Sequence, residues 1–455
     1  MLIDDTIAAI ATPLGEGGLA VLRVSGPKAL AVADACFRPV GRHAAQPSQA
    51  QSHTLHFGHI VAGEKILDEV MLSVMRAPRT FTKEDVIEIA CHGGLLPAKL
   101  ILDTLLKNGA RTAEPGEFTK RAFINGRIDL AQAEAVADLI HSRTELALAA
   151  ANEQLAGKLS QRINHLRDDL MKTLAHVEAH IDFPDEDIAP DTKDKLLARL
   201  EEADRFVDEL LRTADEGQIL RRGIRAAIIG RPNVGKSSLL NQLLGRDRAI
   251  VSPIPGTTRD TIEETANIRG VPVVFIDTAG LRDSTDVIEV EGIRRSRETL
   301  ARAELILHVL DYSEPLSPED ANHLTEFAGK KRIVILNKSD LPKRVQAPDG
   351  IGAIEICCIS GKGIETLKDA IQKLVWGGEI RAEMLEVMIN ARHQEALSRA
   401  RGAIERSAKG LRAEAGLELV ALELREATNA VGEIVGKTTT EDLLDSIFSQ
   451  FCIGK

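Results

Sequence analysis

The hydrophobic pattern of the first 120 or so residues favours short strands and one helix. Residues 19–24, 56–61 and 70–75 are apolar segments typical of strands, and residues 95–107 carry apolar positions with helical spacing. Glycine and proline turns separate these segments. The pattern predicts a small α+β domain over residues 1–120.

From Leu130 to about Leu211 the apolar residues follow a helical period. Apolar residues recur at steps of three and four from Leu155 through Leu170 to Ile181, which predicts one long amphipathic helix. A break is expected at the acidic, proline-containing turn 183–185, before a second helical run over 192–213. Helical spacing returns after residue 376. Residues 121–222 and 377–455 are therefore predicted to be two parts of one all-α domain, with residues 223–376 inserted as an arm between them.

The inserted segment contains a complete phosphate-binding motif. Residues 230–237, Gly-Arg-Pro-Asn-Val-Gly-Lys-Ser, match G-x-x-x-x-G-K-S/T between a predicted strand at 226–229 and a predicted helix at 238–244. There the loop N–H groups and the helix N-terminus form a cradle for phosphate. Lys236 is expected to reach the β- and γ-phosphates and Ser237 to ligate Mg²⁺. The loop residues expected to bind nucleotide are Asn233, Val234, Gly235, Lys236, Ser237 and Ser238.

Three further motifs follow predicted strands in the order that a GTPase requires. Residues 277–280 are expected to hold the Mg²⁺ shell and the γ-phosphate. Residues 337–340 suit guanine, because the Asp340 carboxylate accepts from the ring N–H and the exocyclic amine, a donor pair that adenine lacks. Residues 360–362 are predicted to support the base. The expected nucleotide-binding residues in these motifs are Asp277, Thr278, Ala279, Gly280, Asn337, Lys338, Asp340, Ser360, Gly361 and Lys362.

The predicted fold class is therefore multidomain α/β. It combines an N-terminal α+β domain, an all-α helical domain and an inserted Ras-like P-loop GTPase domain. The expected ligands of the inserted domain are GTP and Mg²⁺. Placed between two helical halves, such a domain is suited to move other parts of the chain when its nucleotide changes.

The switch segments show one departure from Ras-like GTPases. Residues 256–260 are the only good candidate for the first switch, with Thr258 closing on Mg²⁺ and the γ-phosphate. Leu281 stands where a glutamine would orient the attacking water, and leucine cannot do this. Another polar group must take that role. Spacing alone favours none of the second-switch charges over a solvated loop charge: Arg282, Asp283, Asp286, Glu289 and Glu291.

Composition narrows the partners that the chain can take. The net charge of −11 and an aromatic content of 3% disfavour broad nucleic-acid binding and a base-stacking platform, so an RNA contact needs a local basic patch. The candidate patches lie at 221–225 and 294–297. The five cysteines form no C-x-x-C pair, and the sequence shows neither a signal peptide nor a long apolar run. A cytosolic protein is expected.

The last residues of the chain, Phe-Cys-Ile-Gly-Lys at 451–455, follow a predicted helix. Thr438 and Glu441 have the spacing of a capping box that opens this helix. Cys452 occupies the position of a prenylated cysteine, but Gly454 and Lys455 do not fit that signal. Cys452 is either a buried structural residue or an exposed nucleophile, and the sequence leaves both open.

These features together resemble the MnmE (TrmE) family of tRNA-modification GTPases over essentially the whole chain. The resemblance rests on the GTPase motifs, on their inserted position and on the ending at 451–455. It also rests on N-terminal segments at 5–9, 11–13, 23–26, 81–85, 92–94, 115–118 and 129–135.

The resemblance implies a folate site and a homodimer. In that family the N-terminal domain binds a tetrahydrofolate derivative, 5-formyl- or 5,10-methylene-tetrahydrofolate, and mediates dimerisation. The matching ligand positions here are Arg23, Glu88, Arg127 and the terminal Lys455, with Arg127 where some members have lysine. Cations for the folate glutamate and a carboxylate for the pterin N–H edge are chemically suitable.

The resemblance also implies K⁺-assisted hydrolysis. K⁺ ligands match Asn233, Ser252, Ile254 and Thr257, and the ion takes the place of an arginine finger. Glu289 matches the glutamate that orients water, while Lys236 stabilises the phosphates. The GTPase domains of two subunits pair across the nucleotides.

The implied reaction is carried out with the flavoprotein MnmG as a heterotetramer. It adds an aminomethyl or carboxymethylaminomethyl group to carbon 5 of the tRNA wobble uridine, with the folate as one-carbon donor and Cys452 as a candidate catalytic residue. The competing hypothesis is a GTP-dependent switch or ribosome-assembly factor without a role in base chemistry. No membrane partner is expected from either hypothesis.

Overall fold

The chain divides into two compact units. The structure, a computed structural model, describes residues 4–41, 45–182, 193–245, 263–276, 300–346, 352–376, 382–413 and 416–454. The first unit comprises Met1–Ala137 and Asn429–Lys455, and the second comprises Asp138–Thr428. The two ends of the chain therefore belong to one unit.

The first unit is built on a seven-stranded sheet. Its order is β3-β4-β5-β6-β2-β1-β7, antiparallel except for the β1–β7 pair. The strands are β1 Ile7–Ile10, β2 Leu19–Ser25, β3 Phe37–Pro39, β4 Thr54–Ala62, β5 Lys65–Met75, β6 Val86–His92 and β7 Arg111–Thr112. The predicted strands at 19–24, 56–61 and 70–75 lie within β2, β4 and β5.

Two helices, α1 Ala29–Cys36 and α2 Leu95–Lys107, cover the apolar face of this sheet. A short 3₁₀ helix, Pro47–Gln49, follows β3. The helices α3 Glu117–Ile124 and α4 Leu130–His141 come next. The α+β character predicted for the N-terminal region is confirmed, and α2 has the predicted bounds.

A buried arginine ties α3 to the sheet. Arg121 is fully buried, and its guanidinium lies 2.6 Å from Asp5 Oδ1, 2.9 Å from Glu117 Oε1 and 3.2 Å from Glu84 Oε1. Glu117 belongs to α3 itself, whereas Asp5 and Glu84 precede β1 and β6. Because a buried charge is costly without partners, the contacts with Asp5 and Glu84 hold α3 at the sheet. The arrangement fixes Phe118, the second residue of α3, against β1.

The second unit begins with helices that differ from the predicted pattern in one respect. They are α5 Glu145–Leu155, α6 Lys158–Asp182, α7 Lys193–Leu211 and α8 Ala214–Arg222. Leu155 ends α5 instead of opening the long helix, because Gly157 adopts φ +85° and the chain leaves the helical conformation there. The expectation of one helix running from Leu155 to Ile181 was therefore wrong at its start. The predicted break at 183–185 lies outside the described residues.

The inserted α/β part contains a six-stranded sheet of order β13-β12-β11-β8-β10-β9. All pairs are parallel except β9–β10. Helices α9 and α11 cover one face and α10 packs on the other. In chain order the elements are β8 Ile224–Ile229, α9 Lys236–Leu244, β9 Glu264–Ile268, β10 Val271–Phe275, β11 Leu305–Asp311, α10 Pro318–Glu326, β12 Lys331–Asn337, β13 Ala353–Glu355 and α11 Ile364–Val375.

The helical pattern resumes with α12 Ala382–Leu385, α13 Ala391–Arg412, α14 Leu417–Val435 and α15 Glu441–Phe448. Helix α13 lies against α7, so the helical parts before and after the insertion pack on each other. The fold class predicted from the sequence is confirmed. None of the helices in the described ranges combines the length and apolar character needed to cross a membrane.

The C-terminal helix α15 packs in the first unit. Ile447, Phe448 and Phe451 form an apolar cluster with Leu130 and Ala133 of α4. The helix is capped by the Thr440 side chain, which accepts from Leu443 N, and not by Thr438. The Thr438 hydroxyl donates instead to Asn429 O at 2.8 Å, which corrects the predicted capping box.

Candidate functional site

The loop between β8 and α9 contains two glycines at which any other residue would disturb the backbone. Gly230 and Gly235 have φ of +143° and +100°. A Cβ would lie 2.2 Å from Val309 O at Gly230, and 2.1 Å from Asn337 Nδ2 at Gly235. Asn233 also adopts a positive φ, +63°, a conformation that asparagine tolerates better than most residues. This is the close, tightly turned loop that phosphate binding requires.

Lys236 is the first residue of α9, and its side chain folds back over the loop. Its Nζ lies 2.8 Å from the carbonyl oxygens of both Gly230 and Arg231. Burial lowers the pKa of this ammonium group, and Glu319 opposes that shift. Ser237, the predicted Mg²⁺ ligand, is the next residue of the helix, while Ser238 is exposed. The loop, Lys236 and the helix N-terminus thus converge as the motif predicts.

Asn337 joins the phosphate loop to the predicted guanine motif. This buried residue at the end of β12 donates from Nδ2 to Val234 O at 2.8 Å and accepts from Cys358 N at 3.2 Å. It therefore fixes the distance between the loop that would hold phosphate and the segment that would hold the base. The parallel neighbours β8, β11 and β12 bring these loops to the same edge of the sheet.

Lys338 and Asp311 form a close ion pair beside this motif. Lys338 Nζ lies 2.5 Å from Asp311 Oδ2, and Lys338 has φ +68°. Burial alone would raise the pKa of the Asp311 carboxyl, but hydrogen bonds from Lys338 and Ser313 outweigh it, and the pKa lies below its usual value. The pair anchors the strained backbone of the motif to the end of β11.

Asp340, the predicted guanine-reading carboxylate, is exposed and is contacted by a cysteine. Cys357 Sγ donates to its Oδ1 at 3.2 Å. Within the part of the chain that the structure describes, none of residues 360–362 hydrogen-bonds to Asn337 or Asp340, whereas Cys357 and Cys358 both do so. The base-supporting role of Ser360, Gly361 and Lys362 stays a prediction. Cys357 and Cys358 are the residues that sequence reasoning missed here, since neither resembles a base-binding motif.

Several predicted site residues fall outside the described residues. These are the K⁺ and switch positions, the Mg²⁺ motif, the water-orienting glutamate and the terminal lysine: Ser252, Ile254, Thr257, Thr258, Asp277, Thr278, Ala279, Gly280, Glu289 and Lys455. Leu281 and the candidate basic patch at 294–297 do so as well. In the other candidate patch, Arg221 pairs with Asp138 and Arg222 lies 2.8 Å from Glu304, so acidic partners offset its charge.

A second constellation lies in the first unit, around Arg23. Arg23 and Glu88 are register partners on β2 and β6, and Arg23 Nη2 lies 2.7 Å from Glu88 Oε1. Arg23 Nη1 also donates to Gly454 O at 3.3 Å. Two residues 65 positions apart and the end of the chain, 431 positions away, thus meet at one guanidinium. Gly454 is buried, next to the predicted ligand Lys455.

Two arginines in this unit each stack on a phenylalanine ring, and the two rings belong to one apolar cluster. The Arg23 guanidinium lies 5.6 Å from the Phe118 ring centroid, and the Arg127 guanidinium lies 4.8 Å from that of Phe81. Phe81 packs on the cluster that contains Phe118. Arg127 Nη1 also donates to Phe81 O at 3.1 Å. Stacking holds each charge in place while leaving other N–H donors available. The two phenylalanines were not predicted as site residues.

Cys452 is the exposed cysteine among the five, and the structure describes all five positions. Its carbonyl accepts from Gly116 N at 3.4 Å, so its backbone is anchored beside α3. By contrast, burial raises the pKa of the Cys36, Cys91 and Cys358 thiols to about 11. Of the two alternatives that the sequence left open for Cys452, the structure excludes the buried residue, because the side chain is exposed.

Two protein-family models match this chain. The family described as the MnmE helical domain matches residues 130–452, and the GTP-binding protein TrmE N-terminus matches residues 6–127. The tRNA modification GTPase MnmE of Geobacillus kaustophilus (strain HTA426) is 49% identical over 461 residues, 99% of each chain.

Two further relatives carry the same name. The protein of Geobacillus thermodenitrificans (strain NG80-2) is 50% identical over 99% of both chains, and that of Bacillus subtilis (strain 168) is 46% identical over 99% of this chain and all of its own. A solved G domain of the T. maritima FeoB iron transporter is 27% identical, covers 33% of this chain and 98% of its own, and has a TM-score of 0.25. That score is too low to support a conclusion.

Proposed function

Since the chain belongs to the MnmE family of tRNA modification GTPases, we propose that this GTP hydrolase acts with a flavoprotein of the MnmG type on carbon 5 of the tRNA wobble uridine. The group added is an aminomethyl or carboxymethylaminomethyl group, and a tetrahydrofolate supplies the carbon. The observation that carries the GTPase part is the contact of Asn337 with both Val234 and Cys358, because it couples a phosphate loop to a guanine-reading segment.

The residues of the phosphate loop fit the ions that the proposal requires. Ser237, at the N-terminus of α9, would hold Mg²⁺ with Thr258, and Mg²⁺ would neutralise charge on the β- and γ-phosphates. Asn233 would be a K⁺ ligand with Ser252, Ile254 and Thr257. Its exposed side chain supports this role, since an ion can reach the amide oxygen from solvent. Lys236 would hold positive charge at the phosphates.

Hydrolysis is proposed to use Glu289 to orient water, because Leu281 cannot. GTP turnover should be at least about tenfold faster in KCl than in NaCl, since K⁺ would stabilise developing charge. Glu289→Ala should keep GTP binding and lose most turnover. Equal rates in the two salts would show that K⁺ has no part in the mechanism. Unchanged turnover of Glu289→Ala would show that Glu289 is only a solvated loop charge.

The folate part of the proposal is supported by the meeting of Arg23, Glu88 and the chain end. Glu88 would accept from the N–H edge of the pterin, while Arg23, Arg127 and Lys455 would bind the carboxylates of the folate's glutamate. Calorimetric titration of the full chain with 5-formyl-tetrahydrofolate tests this. We expect the wild type to bind the folate and the chain without Lys455 to lose this binding.

Absence of folate binding would favour the other candidate, a GTP-dependent switch or assembly factor without base chemistry. The exposed Cys452 favours the tRNA-modification function over the switch function, because an accessible thiol beside the folate ligands can take part in carbon transfer. Cys452→Ser distinguishes a nucleophile from a structural residue: a nucleophile predicts intact folate and GTP binding with no modified uridine formed.

The proposed assembly is a homodimer in which two GTPase domains pair across their nucleotides. Light scattering should give the mass of two chains, and addition of the flavoprotein should give a heterotetramer. A single-chain mass at micromolar concentration would contradict the dimer.

A further inference from the structure

The second residue of the phosphate loop, Arg231, has a side chain without a role in the proposed hydrolysis. Its guanidinium lies against the segment that opens α10. Arg231 Nε is 2.9 Å from Asp320 Oδ2, and Nη2 is 3.1 Å from Glu314 Oε2. The Arg231 side chain is only 23% exposed, so these contacts are made partly out of water. Arg231 therefore ties the loop that would hold phosphate to two carboxylates outside it.

Asp320 is held in one position by the start of α10. It is 1% exposed, and its Oδ2 accepts from Ser317 N at 3.1 Å and from Ser317 Oγ at 2.8 Å. Asp320 N in turn donates to Ser317 Oγ at 3.1 Å, which completes a capping box. Because a buried charge is screened much less than an exposed one, the Asp320 carboxylate acts strongly on the charges around it.

The carboxylates of this segment also lie near the lysine that would bind phosphate. Glu319 opposes the effect of burial, which lowers the pKa of the Lys236 ammonium group. Lys236 Nζ lies 2.8 Å from Arg231 O. The phosphate loop is thus bordered by the carboxylates of Glu314, Glu319 and Asp320. Negative charge at this place opposes the approach of a nucleotide's phosphates.

We propose that Arg231 is a positioning residue that lets this loop accept the phosphates of GTP, which rests on the proposed role of the phosphate loop. Its guanidinium neutralises the carboxylates of Asp320 and Glu314. The same contacts hold the Arg231 carbonyl, to which Lys236 is bonded. Arg231 does not touch phosphate itself in this arrangement. Since GTP carries one phosphate more than GDP, the neutralisation favours GTP more than GDP.

The test compares the affinities of the full-length protein for GDP and for a non-hydrolysable GTP analogue. Arg231→Met, which keeps most of the aliphatic length, should weaken binding of the analogue about tenfold and of GDP about threefold, the scale of one uncompensated charge near the phosphates. Arg231→Lys, which keeps the charge, should retain most of the wild-type ratio of the two affinities. Asp320→Asn in the Arg231→Met background should restore that ratio, because asparagine still accepts from Ser317 but carries no charge.

Two further variants keep the test independent of any effect on folding. Glu314→Gln removes a carboxylate whose side chain is 54% exposed, so the fold should be retained. It should strengthen binding of the GTP analogue relative to GDP about twofold. Arg222→Met is the matched control, because Arg222 pairs with Glu304 at 2.8 Å before the start of β8, whereas the phosphate loop follows the end of that strand. It should leave both affinities unchanged.

The possible results separate this inference from the proposed phosphate site. If Lys236→Ala abolishes GTP binding while Arg231→Met leaves the ratio of affinities unchanged, the phosphate site stands and the role of Arg231 is overturned. An equal loss of both affinities in Arg231→Met that Asp320→Asn does not reverse also overturns it, since it indicates a structural role only. If Lys236→Ala binds GTP as the wild type does, the phosphate assignment fails and the inference fails with it.

Discussion

The two candidate sites of this chain are built in opposite ways. The phosphate site is made by backbone shape within eight consecutive residues, 230–237, with φ of +143° at Gly230 and +100° at Gly235. The N-terminal site is made by side chains from two strands and from the segment around α3, together with a backbone carbonyl near the end of the chain. Its central residue, Arg23, contacts Gly454 across 431 positions.

This difference explains why one site can be read from a local motif and the other cannot. A backbone cradle needs glycines at fixed spacing, and that requirement leaves a pattern in the sequence. A site assembled by tertiary contacts leaves only single arginines and glutamates, which are indistinguishable from surface charges. The next four experiments test this contrast, in order of decreasing expected effect.

Gly235→Ala should weaken GTP binding at least about 100-fold, since the positive φ and the displaced Asn337 each cost on the order of 1–3 kcal/mol. A Cβ at this position would lie 2.1 Å from Asn337 Nδ2. Titration with a fluorescent GTP analogue measures the loss. Gly329→Ala is the matched control, because a Cβ there meets no atom within 4 Å. Binding by Gly235→Ala within threefold of wild type would refute the backbone account.

Arg23→Met should weaken folate binding about 30-fold and leave GTP binding unchanged, since a charge-assisted contact contributes about 2 kcal/mol. The variant keeps the aliphatic length but leaves Glu88 without its 2.7 Å partner. Titration with 5-formyl-tetrahydrofolate is the measurement. Arg205→Met, on the exposed surface of α7, is the control and should bind as wild type. An unaffected Arg23→Met would remove Arg23 from the site.

Gly454→Ala should weaken folate binding about tenfold, because strain at a positive φ costs on the order of 1 kcal/mol or more. Gly454 has φ +93°, and a Cβ would lie 2.7 Å from Ile10 O. This change would show that the side-chain site also depends on one backbone position. Gly15→Ala serves as control, since its Cβ meets nothing within 4 Å. Full binding by Gly454→Ala would mean that the chain end need not lie at Arg23.

Asp311→Asn should lower the free energy of unfolding by about 1 kcal/mol at pH 7. The pKa of Asp311 is lower in the folded state, where burial is outweighed by the bonds from Lys338 and Ser313. Its contribution is therefore present above the ordinary carboxyl pKa, about 4, and is lost as the pH falls through the folded value. Denaturant unfolding at several pH values should show the difference from wild type shrinking below about pH 4.

Glu178→Gln is the control for that series, because Glu178 pairs with Arg425 on the surface at 2.6 Å. Exposed pairs contribute about 0–1 kcal/mol. A pH-independent difference between Asp311→Asn and wild type would show that the ion pair is not its cause.

Much of the fold could be predicted because hydrophobic period and turn residues act locally. In the first sheet β2, β4 and β5 followed their apolar patterns closely, as did α2, whereas β1, β3, β6 and β7 were not predicted. The errors arose where one residue overrode the pattern. Gly157 ended α5 where apolar spacing continued, and Thr440 capped α15 although Thr438 had the motif spacing.

The residues of the candidate sites could likewise be predicted where they form a local motif and not where they depend on tertiary contacts. The phosphate loop and Asn337 came from contiguous motifs, whereas Arg23, Glu88 and Arg127 came from a family resemblance alone. Phe81 and Phe118 lie in segments that carried the resemblance, but nothing in those segments indicates that they stack on arginines, and Cys357 belongs to no predicted motif. These contacts depend on which distant residue lies across from each side chain. Tertiary contacts of this kind are decided by the whole fold and not by local spacing.

The most direct test of the central claim, that both sites serve one modification of tRNA, is nucleoside mass analysis of total tRNA. Cells lacking this protein would be complemented with wild type, Gly235→Ala or Arg23→Met. The account predicts that 5-substituted wobble uridines disappear without the protein, return with wild type, and fail to return with either variant. An unchanged nucleoside profile in cells lacking the protein would contradict it.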